Sequence, residues 1–235
     1  MKIMITGATS GIGYQLAIAY ANLGHQVIAC GRNPSKLKQL ISLNQNITSL
    51  CFDLTQYQDY PDLDSQIDML IFNAGDCEYI DDSLNFDAKM FERVININLI
   101  SVAHGLEKWL KKVNKKGRLV LISSSAALLP LPRAEAYGTS KAGLTYLGKT
   151  LSISLKEHDI EVTTVHPGFV DTPLTQKNNF PMPMLVNSKQ AADKIIQGIA
   201  KGKAEINFPF FFVFLMKCLS FLPLTLWQRL AARMV

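Results

Sequence analysis

Short, continuously apolar runs alternate with longer stretches whose apolar residues recur three and four apart, and this alternation constrains the fold more than any other feature. Strand-like runs fall at 2–6, 26–30, 49–53, 69–73, 118–123 and 162–166, with a last one near 205–208. Leu119-Val120-Leu121-Ile122 has no polar face, which suits a strand buried on both sides in a parallel sheet covered by helices. Between the runs, the stripe Ile12, Leu16, Tyr20 and Leu23 predicts a helix that Gly24 stops. Asn33-Pro34 opens the next, with Asn as cap and Pro in the first turn. Longer helices are predicted over 87–110, 137–156 and 188–200. This order predicts an α/β fold, a Rossmann-like doubly wound parallel sheet flanked by helices, with ligands at the carboxyl ends of the strands. The 235 residues suit one such domain over 1–207 with a helical tail over 208–235, rather than two domains.

Thr6-Gly7-Ala8-Thr9-Ser10-Gly11-Ile12-Gly13 joins the first strand to the first helix with Gly-x-x-x-Gly-x-Gly spacing. Residues without a Cβ let a pyrophosphate approach backbone N–H groups at a positive helix end. Glycine clusters mark many turns, but this one follows a buried strand and opens a helix. The octet closely resembles the nucleotide-binding loop of the short-chain dehydrogenase/reductase superfamily, and further motifs follow in that family's order through about residue 172. The resemblance implies cofactor contacts from Gly7, Thr9, Ser10, Gly11, Ile12 and Gly13, and from Asp53 with Leu54 at the adenine. It also implies contacts from Asn73-Ala74-Gly75 at the end of the fourth strand, from Tyr137 and Lys141, and from Pro167, Gly168, Val170 and Thr172 near the nicotinamide. Taken alone, Asp53 reads as a turn residue.

Tyr137-Gly138-Thr139-Ser140-Lys141 places a Tyr and a Lys on one helix face, one turn apart. A phenol with a pKa near ~10 is a poor proton carrier at neutrality, and a nearby ammonium group lowers that value. Such pairs are common on helix surfaces; the context gives this one meaning. Ser123-Ser124-Ser125 ends the fifth strand, and Ser124 precedes Tyr137 by the family's spacing. The resemblance implies that Ser124 binds the substrate oxygen, with Ser125 as the near alternative, and that Tyr137 exchanges the proton. Lys141 would hold the ribose hydroxyls and lower the Tyr137 pKa. Asn98, in Asn96-Ile97-Asn98-Leu99, would kink its helix and anchor a water near the lysine. Without the resemblance, Asn98 reads as a buried helical Asn paired with backbone. His166, at a buried strand end, reads as structural, and His25, His104 and His158 read as partnerless and receive no role.

An NAD-preferring site places a carboxylate at the end of the second strand. Here Ala29-Cys30-Gly31-Arg32-Asn33 offers Arg32 instead, suited to a 2′-phosphate, so NADP(H) is favoured with NAD(H) as the alternative. The glycine loop carries no basic residue, which weakens that preference. Leu174, Phe180, Pro181, Met182, Met184 and Leu185 in the segment 172–188, with Leu128 and Leu129, point to a hydrophobic carbonyl or alcohol as substrate.

The net charge of +5 suits an anionic cofactor, a nucleic acid or an acidic membrane, and selects none. Lys108, Lys111, Lys112, Lys115, Lys116 and Arg118 read as a solvated helix end without interleaved aromatics, so no nucleic-acid partner is expected. Gly138-Thr139-Ser140-Lys141-Ala142 resembles a hydrolase nucleophile turn but sits inside a helix, which excludes that reading. Cys30, Cys51, Cys77 and Cys218 lack metal-ligand spacing, so no metal site is expected, and they read as reduced thiols of a cytoplasmic protein. The first apolar run is too short for a signal peptide. In the tail, the aromatic run 210–216 is shorter than a membrane span, and the stretch from Leu224, with Arg229 and Arg233, is amphipathic. The tail either packs on protein, the favoured reading, or lies peripherally on the inner face of a membrane. The long helices offer surfaces for a homodimer or homotetramer. A nucleotide-sensing, membrane-associated binding protein without turnover remains the alternative to an enzyme.

Overall fold

The apolar runs become the strands of one parallel sheet. A computed structural model describes residues 1–232; Arg233, which the tail reading included, lies outside them. The strands β1 (Lys2–Thr6), β2 (Gln26–Gly31), β3 (Ile47–Cys51), β4 (Ile67–Phe72), β5 (Val113–Ile122) and β6 (Glu161–Pro167) join β9 (Glu205–Phe208) in the order β3-β2-β1-β4-β5-β6-β9. A small parallel pair, β7 (Val170–Asp171) and β8 (Val186–Asn187), brackets the segment after β6. The helices are α1 (Gly11–Asn22), α2 (Pro34–Leu43), α3 (Ala88–Ile95), α4 (Ser101–Trp109), α5 (Glu135–Ser154), α6 (Ser188–Ala200), α7 (Phe210–Leu219) and α8 (Leu224–Ala231).

Burial on both sheet faces explains the unbroken apolar runs. Ile3, Ile5, Ile71, Val120, Ile122 and Val165 face α1 and α6. Their neighbours Met4, Leu70, Phe72, Leu119 and Leu121 face Val102 and Trp109 of α4 and Leu144 of α5. Each fully buried side chain contributes ~1.5–3 kcal/mol. The chain reverses its winding between β1 and β4, which opens a crevice at their carboxyl ends.

Several boundaries differ from the sequence reading. The helix expected over 87–110 is two helices joined by a π-turn at Asn96–Ile100. The fifth strand begins at Val113, so Lys115, Lys116 and Arg118 lie on it rather than at a helix end; Arg118 pairs with Glu161 and donates to Thr163 Oγ1 at 2.7 Å. Leu23 leaves the stripe of α1 and is 60% exposed, although Gly24 does stop the helix, with φ +81°.

Candidate active site

The loop after β1 is built for close approach. Gly7 has φ +66°, and a Cβ there would meet Ala74 Cα at 2.7 Å. A Cβ on Gly13 would lie 2.4 Å from both Asn73 Nδ2 and Gly7 O. Asn73 Nδ2 donates to Thr6 O at 3.1 Å and Gly7 O at 3.2 Å, while Thr6 Oγ1 accepts from Asn73 N at 3.0 Å and Ala74 N at 3.2 Å. The end of β4 thus clamps the glycine loop in shape. Ser10 starts α1 without a side-chain cap, and no acidic residue occupies the first turn. The free N–H groups of that turn and the positive helix end suit a phosphate.

A single cavity of about 540 Å³ runs along the carboxyl edge of the sheet. Gly7, Thr9, Ser10, Gly11 and Ile12 line its middle, and Arg32, Asp53 and Leu54 line one end. Asn73, Ala74 and Gly75 line its floor, while Ser124, Tyr137 and Lys141 close the other end with Pro167, Gly168, Val170 and Thr172. Of the expected residues, Gly13 and Asn98 stand behind the wall, Gly13 shaping the loop and Asn98 acting through its neighbours. Ser125 also lies outside the lining, whereas Ser124 is part of it, next to Ser123, whose hydroxyl is bonded to Lys141 O and Thr145 Oγ1. A cradle that a Cβ would fill, an uncapped helix start, and Arg32 and Lys36 at one end fit a phosphorylated dinucleotide.

The Ser124–Tyr137–Lys141 corner is held from behind. Asn98 is fully buried at the centre of the π-turn. Its Oδ1 accepts from Asp76 N at 2.8 Å; its Nδ2 donates to Asp76 O at 2.8 Å and to Ser140 Oγ at 2.9 Å. Ser140 Oγ in turn donates to Tyr137 O at 2.7 Å. The extra residue of the π-turn aims Asn98 at the loop after β4 and at the Tyr–Lys turn of α5 together. Ser140, which the sequence reading weighed only as a false nucleophile, is the link between them.

Lys141 Nζ donates to Ile122 O at 2.9 Å and lies 5.9 Å from the Tyr137 ring centroid. Burial pushes its pKa down to about 8. Lys141 is not among the groups that shift the Tyr137 phenol in this arrangement. Burial raises the Tyr137 phenol well above its ordinary value, the neighbouring Cys77 raises it further, and a hydrogen bond with Ser124 pulls the other way. Tyr137 is therefore protonated at neutral pH.

At the far end, Arg32 is exposed, with its guanidinium 3.8 Å from Asp53 Oδ2. Asp53 also accepts from Thr55 N and Oγ1, each at 2.8 Å, so it is a turn residue as well as part of the wall. Lys36, in the first turn of α2, lines the same end beside Arg32. Its place in the first turn of the helix opened by Asn33-Pro34, three residues after that Asn cap, was the sequence signal for it.

On the substrate side, Leu174 lines the cavity. Phe180 packs edge-on against Tyr79, with centroids 5.3 Å apart, and lies 6.1 Å from Phe169. Met184 and Leu185 point outward, 51% and 45% exposed, and Leu129 is committed to the tail with Met216 and Trp227. These three correct the expected apolar cover. His166 is buried between Thr145 Oγ1 at 3.1 Å and Glu205 Oε1 at 3.1 Å, a structural place. His104 does have partners, since it stacks on Tyr57 at 4.1 Å and lies 3.7 Å from Glu107.

A parallel sheet with a phosphate cradle at its switch point, continuous with a Ser–Tyr–Lys corner, defines a dinucleotide-dependent oxidoreductase of the α/β class. Residues 1–182 match the family model described as short chain dehydrogenase. An oxidoreductase of Myxococcus xanthus is 32% identical over 98% of this chain and 96% of its own length. The 3-oxoacyl-(acyl-carrier-protein) reductase of Rickettsia prowazekii is 36% identical over 85% of this chain and 81% of its own. A short-chain dehydrogenase from Sphingobium yanoikuyae in complex with NADPH superposes with a TM-score of 0.78 at 23% identity, covering 89% of this chain and 88% of that one. The chain belongs to the short-chain dehydrogenase/reductase family and is an oxidoreductase enzyme of that type.

Proposed function

We propose that the protein is an NADP(H)-dependent reductase of a hydrophobic carbonyl compound, working in reverse as an alcohol dehydrogenase. One observation carries this reading: the same cavity joins the Arg32–Lys36 end to the Ser124–Tyr137–Lys141 corner. The bound nicotinamide supplies or accepts the hydride. Ser124 donates to the substrate oxygen and sets the carbonyl against the cofactor face. Tyr137 passes its phenolic proton to that oxygen, so that carbonyl, hydride and proton sum to the alcohol. Lys141 serves the ribose hydroxyls, and Asn98 with Ser140 fixes the turn that carries Tyr137 and Lys141. Arg32 and Lys36 take the 2′-phosphate as a charge-assisted pair. The two cations Arg32 and Lys36 at one end of the cavity support this choice over NAD(H).

Exposed Tyr146 and Ile153 on α5 support a homodimer formed through α4 and α5. No helix among the described residues is long and apolar enough to cross a membrane. NADPH oxidation followed with a panel of aliphatic and aromatic ketones and aldehydes tests the activity. Tyr137→Phe is expected to lower turnover about 10²–10⁴-fold with NADPH binding, read by fluorescence, unchanged. Full turnover in that variant, or silence of the wild type across the panel, overturns the reading.

A further inference from the structure

Helices α7 and α8 bury only one side of themselves. Val213, Met216, Trp227 and Ala231 turn inward, and Trp227 Nε1 donates to Pro130 O at 2.8 Å. On the other side, Phe210, Phe211, Phe214, Leu215, Phe221 and Leu224 are between 54% and 87% exposed. A helix with water on one side carries polar residues there, and α7 carries phenylalanines. An exposed apolar patch of this kind marks a docking surface.

Charge decides the occupant. Residues 206–235 contain Lys217, Arg229 and Arg233 and no Asp or Glu; Lys217 pairs with Glu205 of β9 at 2.8 Å, and Arg229 is exposed. A second copy meeting this patch across a two-fold axis would set the patch against itself, with no acid of the tail to pair Arg229. An anionic bilayer supplies the missing sign and an apolar layer for the phenylalanines. With no helix of spanning length among the described residues, the pair lies along the surface. The patch also adjoins the active site. Phe212 of α7 packs on Phe169 with centroids 5.6 Å apart, next to Gly168 of the cavity wall, and Phe169 continues to Phe180 of the substrate cover.

We propose that the outward face of α7 and α8 docks on an anionic lipid surface. Resting on the reductase reading above, the substrate class is then a carbonyl compound dissolved in lipid, which reaches the cavity from the docked side. The full chain is sedimented with vesicles of phosphatidylcholine alone and of phosphatidylcholine mixed with phosphatidylglycerol. Most of the wild type is expected to pellet with the anionic vesicles. About tenfold less is expected with phosphatidylcholine alone, and likewise for a Phe211→Glu, Phe214→Glu variant on anionic vesicles. That variant changes only exposed side chains and is expected to reduce a water-soluble aldehyde with NADPH as the wild type does. A wild type that stays in the supernatant with anionic vesicles overturns the proposal, as does a variant that pellets equally well. A wild type that elutes as an assembly the variant dissociates, without vesicle binding, overturns it in favour of a second copy. Vesicle binding without aldehyde reduction supports docking while striking the reductase reading, so the two fail separately.

Discussion

At the residue scale, the chemistry turns on which proton state burial favours. Tyr137 sits where desolvation holds the phenol neutral, so a proton donor is present at pH 7 and a proton acceptor is scarce. Carbonyl reduction is therefore expected to keep its rate from about pH 6 to 8, while alcohol oxidation rises about tenfold per pH unit above 7 as phenolate forms. Initial rates in both directions check this, and an oxidation rate flat across that range would show a phenol already ionised. Burial of Lys141 acts on stability with a definite sign. Its folded pKa is about 8, below the ordinary 10.5, so between those values the unfolded chain binds more protons. Stability from this group thus improves as pH climbs through that window. The Tyr–Lys spacing and the Ser124 position were legible in the sequence because helix periodicity and strand ends are local. The strength of desolvation around Tyr137 was not, since Cys77 and Ser124 reach it from other elements.

At the element scale, β9 and α7 are joined by one carboxylate. Glu205 lies 3.1 Å from His166 Nδ1 on β6 and 2.8 Å from Lys217 Nζ on α7. His166 first, then Lys217, hold its pKa at about 2 against an ordinary 4.5. A depressed carboxylate contributes stability that is complete above the ordinary value and is lost as pH falls toward the folded one. Glu205→Gln is expected to lower Tm at pH 6, and the gap between variant and wild type is expected to close as pH falls from about 4.5 toward 2. Thermal melts across that range measure it; a gap that persists unchanged at pH 2–3 would mean the side chain acts by packing alone. The order of the seven main-sheet strands was readable because buried strands and amphipathic helices leave different periods, whereas the two-residue strands β7 and β8 are too short to leave one. The break at Asn96–Ile100 was hidden, because apolar Ile97, Leu99 and Ile100 carry the helical pattern across it. Only the tertiary need to pair Asn98 with Asp76 and Ser140 reveals the π-turn.

At the scale of the whole molecule, one ligand would bind both halves of the sheet. The cavity runs from Arg32 and Lys36 beyond β2 to Tyr137 on α5, on opposite sides of the switch point. The α8 contact is equally long-range: Trp227 meets Pro130 across 97 residues, which no local pattern in the tail could announce. A ligand that binds only the folded chain stabilises it by mass action, about 2.7 kcal/mol at a hundredfold excess over Kd. For a chain of this size each kcal/mol raises Tm by about 2–4 °C, so NADPH at that excess is expected to add about 5–11 °C. At equal concentration NADH is expected to add less, because it leaves Arg32 and Lys36 without the 2′-phosphate. Replacing both cations, Arg32→Ala with Lys36→Ala, is expected to bring the NADPH shift down to the NADH value while leaving the NADH shift in place. Both cations lie away from the Ser124–Tyr137 corner, so this loss is a matter of selectivity and not of folding. A larger shift with NADH than with NADPH in the wild type would reverse the cofactor assignment while leaving the Ser–Tyr–Lys corner untouched.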